Sequence, residues 1–112
     1  MTTDLSALPA PIRAYLTAHD SRDDEAAIRA FATDATVTDE GQTHTGTQAI
    51  RAWRRRASTE YTYTTKVTDI RQERDEVWVV AVHLEGNFPG GTADLQQRFT
   101  LRDKTIADLT ID

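Results

Sequence analysis

The chain contains no cysteine, three prolines, five glycines and one methionine among its 112 residues. The absence of cysteine excludes a disulfide framework, a thiolate zinc site and a thiol nucleophile. No stretch approaches the ~18 consecutive apolar residues of a membrane-spanning helix. Residues 1–11 also lack the basic start and apolar centre of a secretory signal. We therefore expect a cytoplasmic protein without a membrane partner.

Charge and composition narrow the class of partner further. Thirteen basic and eighteen acidic side chains give a formal net charge of −5, which argues against nucleic acid as the main partner. The three histidines are scattered, and neither a phosphate loop nor a dinucleotide fingerprint is present. We expect no metal and no cofactor. The length is typical of one domain, residues 1–112.

The first half of the chain predicts three helices. One begins near Pro11, where a missing N–H is tolerated. A second spans 25–32, with Ser21 and Asp24 spaced like a capping box and with Asp23 and Asp24 as capping residues. A third begins at Thr47, a plausible N-cap residue. Apolar stripes at helical spacing support them: Ile12, Tyr15, Leu16 and His19; Ala27, Ile28 and Phe31; Ala49, Ile50, Trp53 and Ala57.

The second half predicts β-strands, because β-branched and aromatic residues alternate with polar ones. Together with one strand after the second helix, the predicted strands are 35–39, 60–72, 76–88, 92–102 and 106–111. Helices followed by mostly antiparallel strands indicate an α+β fold. We expect a cone-shaped roll, in which a strongly curved sheet wraps the N-terminal helices and leaves a pocket at its open end.

Two polar residues interrupt predicted apolar strand faces. Asp39 shares its strand phase with Ala35 and Val37, whereas Glu40 takes the opposite phase and belongs to a turn. A carboxylate facing inward can act as a general base, although a strand-end turn residue is the plain alternative. Gln97 lies in the apolar face of strand 92–102. A buried amide needs a partner, which is a protein group, a water or a ligand.

The order of elements and several motifs resemble the nuclear transport factor 2-like superfamily, in its ketosteroid isomerase and SnoaL-like polyketide cyclase branches. The resemblance rests on "IRAYLTAHDSRDDEAAIRAFATDATVTDEG" followed by "GTQAIRAW". It covers nearly the whole chain and implies the cone-shaped fold and a homodimer formed through the outer sheet faces. This fold carries many activities, so it specifies the fold better than the reaction.

The resemblance also implies roles for three residues. Asp39 matches the general base of the ketosteroid isomerases, and Tyr15 matches the tyrosine of their oxyanion hole. Gln97 stands where that family has a protonated acid, and an amide is a weaker donor. The implied activity is isomerisation, or polyketide cyclisation, of a small hydrophobic carbonyl compound. The alternative is a non-catalytic ligand-binding or assembly domain.

Other residues complete the expected site. We expect His83, Phe31, Trp53 and Phe99 to bind the substrate. If His83 faces outward instead, it belongs to a dimer interface or a solvated edge.

The remaining histidines and basic residues have weaker expected roles. His19 is expected to interact with a helix dipole, and His44 to lie at the pocket mouth. The three consecutive arginines 54–56 are expected to form a mostly solvated helix face. Epoxide hydrolysis, which needs an arginine between two aspartates, ranks last because Arg98 lies on the opposite strand phase from Gln97.

Overall fold

In the computed structural model the chain is described over residues 5–60 and 62–112, with 57–60 described by backbone only. A short 3-10 helix, Leu5–Ala7, precedes three α-helices and six β-strands. The helices are α1 (Ala10–Asp20), α2 (Asp24–Arg29) and α3 (Thr47–Glu60). The strands are β1 (Phe31–Asp39), β2 (Gln42–Thr45), β3 (Tyr63–Arg74), β4 (Val77–Gly86), β5 (Thr92–Arg102) and β6 (Thr105–Ile111). The predicted α+β class is confirmed.

The second helix is shorter than predicted, and of the capping candidates it uses Asp23. The Asp23 side chain, not Ser21, accepts the N-terminal hydrogen bond, from the Ala26 N–H at 3.1 Å. Ser21 instead terminates α1, so it cannot also begin the next helix. The helix ends at Arg29, and Phe31 opens β1 rather than completing a helical stripe.

The six strands form one mixed sheet in the order β2-β1-β6-β5-β4-β3. Strands β1 and β6 are parallel, and every other neighbouring pair is antiparallel. The sequence did not predict β2, which pairs with β1 through a two-residue turn. Glu40 and Gly41 form this turn with φ of 52° and 76°, the left-handed backbone that a tight hairpin needs. The expectation that Glu40 belongs to a turn is confirmed.

The three helices pack against one face of the sheet, and the core lies between them. On β4 the inward residues alternate with outward ones, so Val80 and Val82 are fully buried in this core. On β5 the predicted inward face is also observed, with Gln97, Phe99 and Leu101 buried. In the part of the chain that the structure describes, no helix is long and apolar enough to cross a membrane.

Candidate functional site

A cavity of about 900 Å³ lies between the helices and the inner face of the sheet. Its lining includes Tyr15, His19, Asp39, Trp53, Arg54 and Gln97. They come from α1, β1, α3 and β5, which are distant in sequence. A second cavity of about 830 Å³, beside Pro11 and Trp78, contains none of these six. The first cavity is therefore the candidate site.

Asp39 is the last residue of β1, and strand alternation turns its side chain toward the cavity. The indole Nε1–H of Trp53 donates to Asp39 Oδ2 over 3.1 Å. The other carboxylate oxygen, Oδ1, has no hydrogen-bond partner among the described residues. Trp53 is itself buried on α3, so it fixes the orientation of the carboxylate. The expectation that Asp39 and Trp53 both line a cavity agrees with this geometry.

Tyr15 lies on the buried face of α1 and is 1% exposed. The rings of Phe31 and Phe99 pack edge-on against it, with centroids 5.4 Å and 5.7 Å away. Burial raises the pKa of Tyr15 to about 12, and the negative charge of Asp39 adds a smaller contribution in the same direction. The phenol is therefore a hydrogen-bond donor that keeps its proton at neutral pH. Phe31 and Phe99 support Tyr15 from behind and are not themselves among the lining residues.

Arg54 is buried, at 6% exposure, and the expectation that it belongs to a solvated helix face is wrong. Its Nε donates to Asp24 Oδ1 over 3.1 Å, which supplies the partner that a buried cation requires. Its Nη1 lies 3.4 Å from Tyr15 Oη, and its guanidinium carbon lies 5.5 Å from the centre of that ring. Position 54 follows Ile50 by four residues and so falls within the buried stripe of α3.

His19, in the last turn of α1, also lines the cavity, a position that the sequence did not predict. Its Nδ1 is 3.3 Å from Arg54 Nη1. Because arginine can only donate, Nδ1 accepts and the ring proton is on Nε2, 3.5 Å from the Thr65 hydroxyl. Burial, followed by the charges of Arg54 and Arg22, lowers the pKa of His19 to about 4. The imidazole is therefore neutral at physiological pH.

Gln97 lies on the inward face of β5, between Val80 of β4 and Ile111 of β6. The residue is 6% exposed and lines the cavity. Its Oε1 is buried and has no hydrogen-bond partner among the residues that the structure describes. Oε1 is thus a polar atom that lacks a partner and is also shielded from solvent.

The other two histidines lie on different sides of the sheet. His83 is on the outer face of β4, where its Nδ1 is 2.8 Å from Asp94 Oδ1 and its Nε2 is 3.3 Å from Glu85 Oε1. It is not a cavity residue, because strand alternation turns its neighbour Leu84 inward instead. The expected substrate contact of His83 is therefore corrected. His44 lines the cavity and stacks on Trp53, with ring centroids 6.1 Å apart.

The arrangement combines a carboxylate with a polarised hydroxyl. Since Tyr15 Oη accepts from Arg54, its own hydrogen is free to point into the cavity, with a positive charge behind it. Asp39 can accept a proton, because its Oδ1 is unoccupied by protein donors in the described part of the chain. Among the side chains that the structure describes, those of residues 5–56 and 62–112, no group of three His, Cys, Asp or Glu is placed to hold a metal ion.

Comparison with known proteins gives a consistent assignment of family and fold. A family model described as a SnoaL-like domain matches residues 12–109. The structure of a provisionally assigned polyketide cyclase from Sinorhizobium meliloti is 31% identical, with a TM-score of 0.93 over 98% of this chain and 100% of that one. No curated protein matches this chain significantly.

Two more distant structures share the fold. One is a protein from Catenulispora acidiphila with a ketosteroid isomerase-like fold, in complex with trimethylamine. It is 19% identical, with a TM-score of 0.81 over 93% of this chain and 85% of that one. The other is TerC co-crystallised with polyporic acid. It is 18% identical, with a TM-score of 0.79 over 91% of this chain and 87% of that one. At these identities the likeness shows the fold alone.

Proposed function

Since the chain belongs to the SnoaL-like domain family, we propose that it is a cofactor-free enzyme that transfers a proton beside a carbonyl group of a small hydrophobic substrate. The observation that carries the proposal is the convergence of Asp39 and the Tyr15–Arg54 pair on one cavity. A general base and an oxyanion donor on a shared cavity are what enolisation requires.

The reaction would proceed through an enolate. The substrate carbonyl oxygen accepts a hydrogen bond from the Tyr15 hydroxyl, and Asp39 removes a proton from the adjacent carbon. The electrons of that C–H bond form the carbon–carbon double bond, and negative charge develops on the oxygen. Protonated Asp39 then returns the proton to another carbon, which gives isomerisation. Alternatively, the enolate carbon attacks a second carbonyl of the same molecule, which gives cyclisation. The π bond of that carbonyl opens to an alkoxide as the carbon–carbon bond forms, the first carbonyl is restored, and protonated Asp39 gives its proton to the alkoxide.

Arg54 supports catalysis despite the glutamine at position 97. A glutamine N–H is a poor substitute for a protonated acid as an oxyanion donor. The guanidinium of Arg54 lies next to the Tyr15 oxygen, and its charge is permanent. A positive charge behind the donating hydroxyl stabilises a developing oxyanion in a site that excludes water. Arg54 can therefore provide the stabilisation that Gln97 provides only weakly.

A non-catalytic ligand-binding domain is the second candidate, and Gln97 is the observation that favours it. An amide in a buried position suits recognition better than charge stabilisation. Epoxide hydrolysis ranks lower, because Arg54 pairs with Asp24 while Asp39 is held by Trp53. Arg98 lies outside the cavity and pairs with Glu73.

The decisive test is proton abstraction itself. Hydrogen–deuterium exchange at the carbon beside the carbonyl can be followed by NMR for a panel of cyclic and aryl ketones in D₂O. This measurement does not depend on knowing the product. We expect Asp39→Asn to slow exchange by about 10²–10⁴-fold, while the affinity for ketones persists.

An exposed turn carboxylate outside the cavity gives a matched control. Asp75→Asn removes one negative charge from the turn between β3 and β4 and should leave the exchange rate unchanged. Equal rates for Asp39→Asn and the native protein would refute the assignment of the base. Ketone binding without exchange in the native protein would favour the ligand-binding alternative.

A further inference from the structure

The second cavity, of about 830 Å³, shares no lining residue with the candidate site. It lies between the start of α1, the end of α2 and the turns that join β3 to β4 and β5 to β6. Its volume is in the range of small-molecule sites in proteins. The larger apolar side chains of its wall are Pro9, Pro11, Trp78 and Leu101. This wall suits the apolar body of a ligand.

Trp78 gives the wall a flat aromatic surface that the protein leaves partly uncovered. It lies on β4 opposite Phe99 of β5 and is half-buried. Its indole Nε1–H makes no hydrogen bond among the described residues, and it is not enclosed by protein. Such an indole can stack on an aromatic ligand and can also donate a hydrogen bond to it.

Strand pairing brings two cations to the rim of this cavity. Arg29 is the last residue of α2, and Lys104 lies in the turn between β5 and β6. Each stands two residues before a paired position of the parallel strands β1 and β6, where Phe31 is opposite Ile106. The Ala30 carbonyl accepts from the Ile106 N–H over 2.9 Å, which holds the two segments together. Both positive charges therefore lie at one end of the sheet, beside the apolar wall.

The protein does not neutralise these cations. Arg29 and Lys104 form no ion pair among the described residues. Glu25, which interacts with Arg29 electrostatically, is already held by Arg51 through both carboxylate oxygens. Glu76 is the only acidic side chain among the described residues of the lining. The rim thus has one positive charge in excess, in a chain whose net charge is −5.

The start of α1 adds to this positive potential. Its first residue, Ala10, lines the cavity. Within the described chain, no side chain caps this end of the helix, and its first turn contains no acidic residue. The unpaired N–H groups at the start of a helix carry partial positive charge. A carboxylate is therefore favoured here, whereas a neutral ligand gains little from these charges.

We propose that this cavity is a second ligand site, which binds a small monocarboxylate with an aromatic body. The ring packs against Trp78 and the prolines, and the carboxylate faces Arg29, Lys104 and the start of α1. One excess positive charge matches one carboxylate better than a doubly charged phosphate. The site does not rest on the proposed function, because it shares no residue with the candidate site.

The two tryptophans of the chain allow the cavities to be distinguished, because Trp53 lines the first and Trp78 lines the second. Each indole N–H gives its own signal in a ¹H–¹⁵N NMR spectrum, and triple-resonance experiments assign the two signals. Titration with 2-naphthoate should shift the Trp78 signal at concentrations that leave the Trp53 signal in place. The neutral analogue 2-naphthamide should bind about threefold to tenfold more weakly, because it makes no ion pair.

Charge variants of the rim test the position of the carboxylate through effects of opposite sign. Arg29→Gln and Lys104→Gln should each weaken the binding of 2-naphthoate about twofold to fivefold. Glu76→Gln should strengthen it by a similar factor, because it removes a like charge. Lys66→Gln is the matched control. It removes an exposed lysine charge opposite His83, outside the lining, and should leave the affinity unchanged.

Several results would overturn the inference. These are equal affinities for the two naphthyl compounds, no shift of the Trp78 signal up to the solubility limit, a Trp53 signal that shifts at the same or lower concentration, and unchanged affinity in both cation variants. A Trp78 signal that depends on protein concentration without ligand would identify a contact between copies of the chain, and it would also overturn the inference. Normal binding of 2-naphthoate by a native protein that exchanges no ketone protons would refute only the proposed function.

Discussion

The neutral state of the half-buried His19 predicts that acid destabilises the protein in a measurable window of pH. The pKa of this histidine falls from its ordinary value of 6.5 to about 4 in the folded chain, first because of burial and then because of Arg54. Between pH 6.5 and about 4, His19 is therefore mostly protonated in the unfolded chain and mostly neutral in the folded chain. The contribution of His19 to stability is complete above 6.5 and is lost as the pH falls toward 4.

The size of the effect follows from the linkage between protonation and folding. Each unit of difference in pKa is worth about 1.4 kcal/mol. Integrated over the titration from about pH 7 to about pH 5, the free energy of unfolding should fall by about 2 kcal/mol because of His19 alone. His19 is largely shielded from solvent, so screening reduces this figure only modestly.

The assay is urea denaturation followed by circular dichroism at several pH values in that range. His19→Gln is the informative variant, because its amide oxygen can accept from Arg54 and its N–H can reach Thr65, yet it does not titrate. Carboxylates titrate alike in both proteins, so their contribution cancels in the difference. The native curve should fall more steeply with acid than the His19→Gln curve.

A second histidine provides a control of opposite sign. The pKa of His83 is raised, chiefly by its hydrogen bond with Asp94. Its stabilising contribution is therefore present at low pH and is lost as the pH rises through its folded pKa. His83→Gln should make the acid-induced loss steeper, whereas His19→Gln should make it shallower. Parallel curves for the native protein and His19→Gln would refute the buried, arginine-facing geometry of His19.

Two further variants test how the site holds its charges. Arg54→Lys keeps the positive charge, but a lysine cannot contact Asp24, Tyr15 and His19 together, so proton exchange on ketones should slow by about 10²-fold. The control is Arg55→Lys, at the exposed neighbouring position, which should leave the exchange rate unchanged. Trp53→Phe removes the donor to Asp39 and should lower the free energy of unfolding by about 1–2 kcal/mol in urea titrations and slow exchange. Unchanged exchange in either site variant would contradict the assigned contact.

The residues that the sequence placed correctly are those whose position follows from local periodicity. Strand alternation turned Asp39 and Gln97 inward, and helical spacing put Tyr15 on the buried face of α1. These patterns need only a few neighbouring residues. The turn after β1 also followed from local sequence, although β2 did not, because four polar residues carry no hydrophobic alternation.

Arg54 and His19 could not be placed in the same way, because each is stable in the interior only through the other elements. Arg54 is buried because Asp24, on α2, neutralises it. His19 is half-buried and neutral because neighbouring elements shield it from solvent and because Arg54, on α3, donates to its Nδ1. The charge of Arg54 suggested an exposed side chain. Its four-residue spacing from Ile50, however, indicated a position in the buried stripe of α3. A charged residue at a helical position that should be buried is thus a candidate functional-site residue, and it should not be assumed to face solvent.

The partnership between Arg54 and Tyr15 changes what Gln97 is needed for. A tyrosine that stays protonated, with a permanent cation at its oxygen, can face a developing oxyanion without a second acid. The position on β5 is then free to recognise a neutral polar group of the ligand. Stabilisation of the oxyanion would thus depend on the helices that carry Tyr15 and Arg54, and recognition of the ligand would depend on β5. On this division, loss of Gln97 should alter which ketones bind, and loss of Asp39 should alter how fast they react.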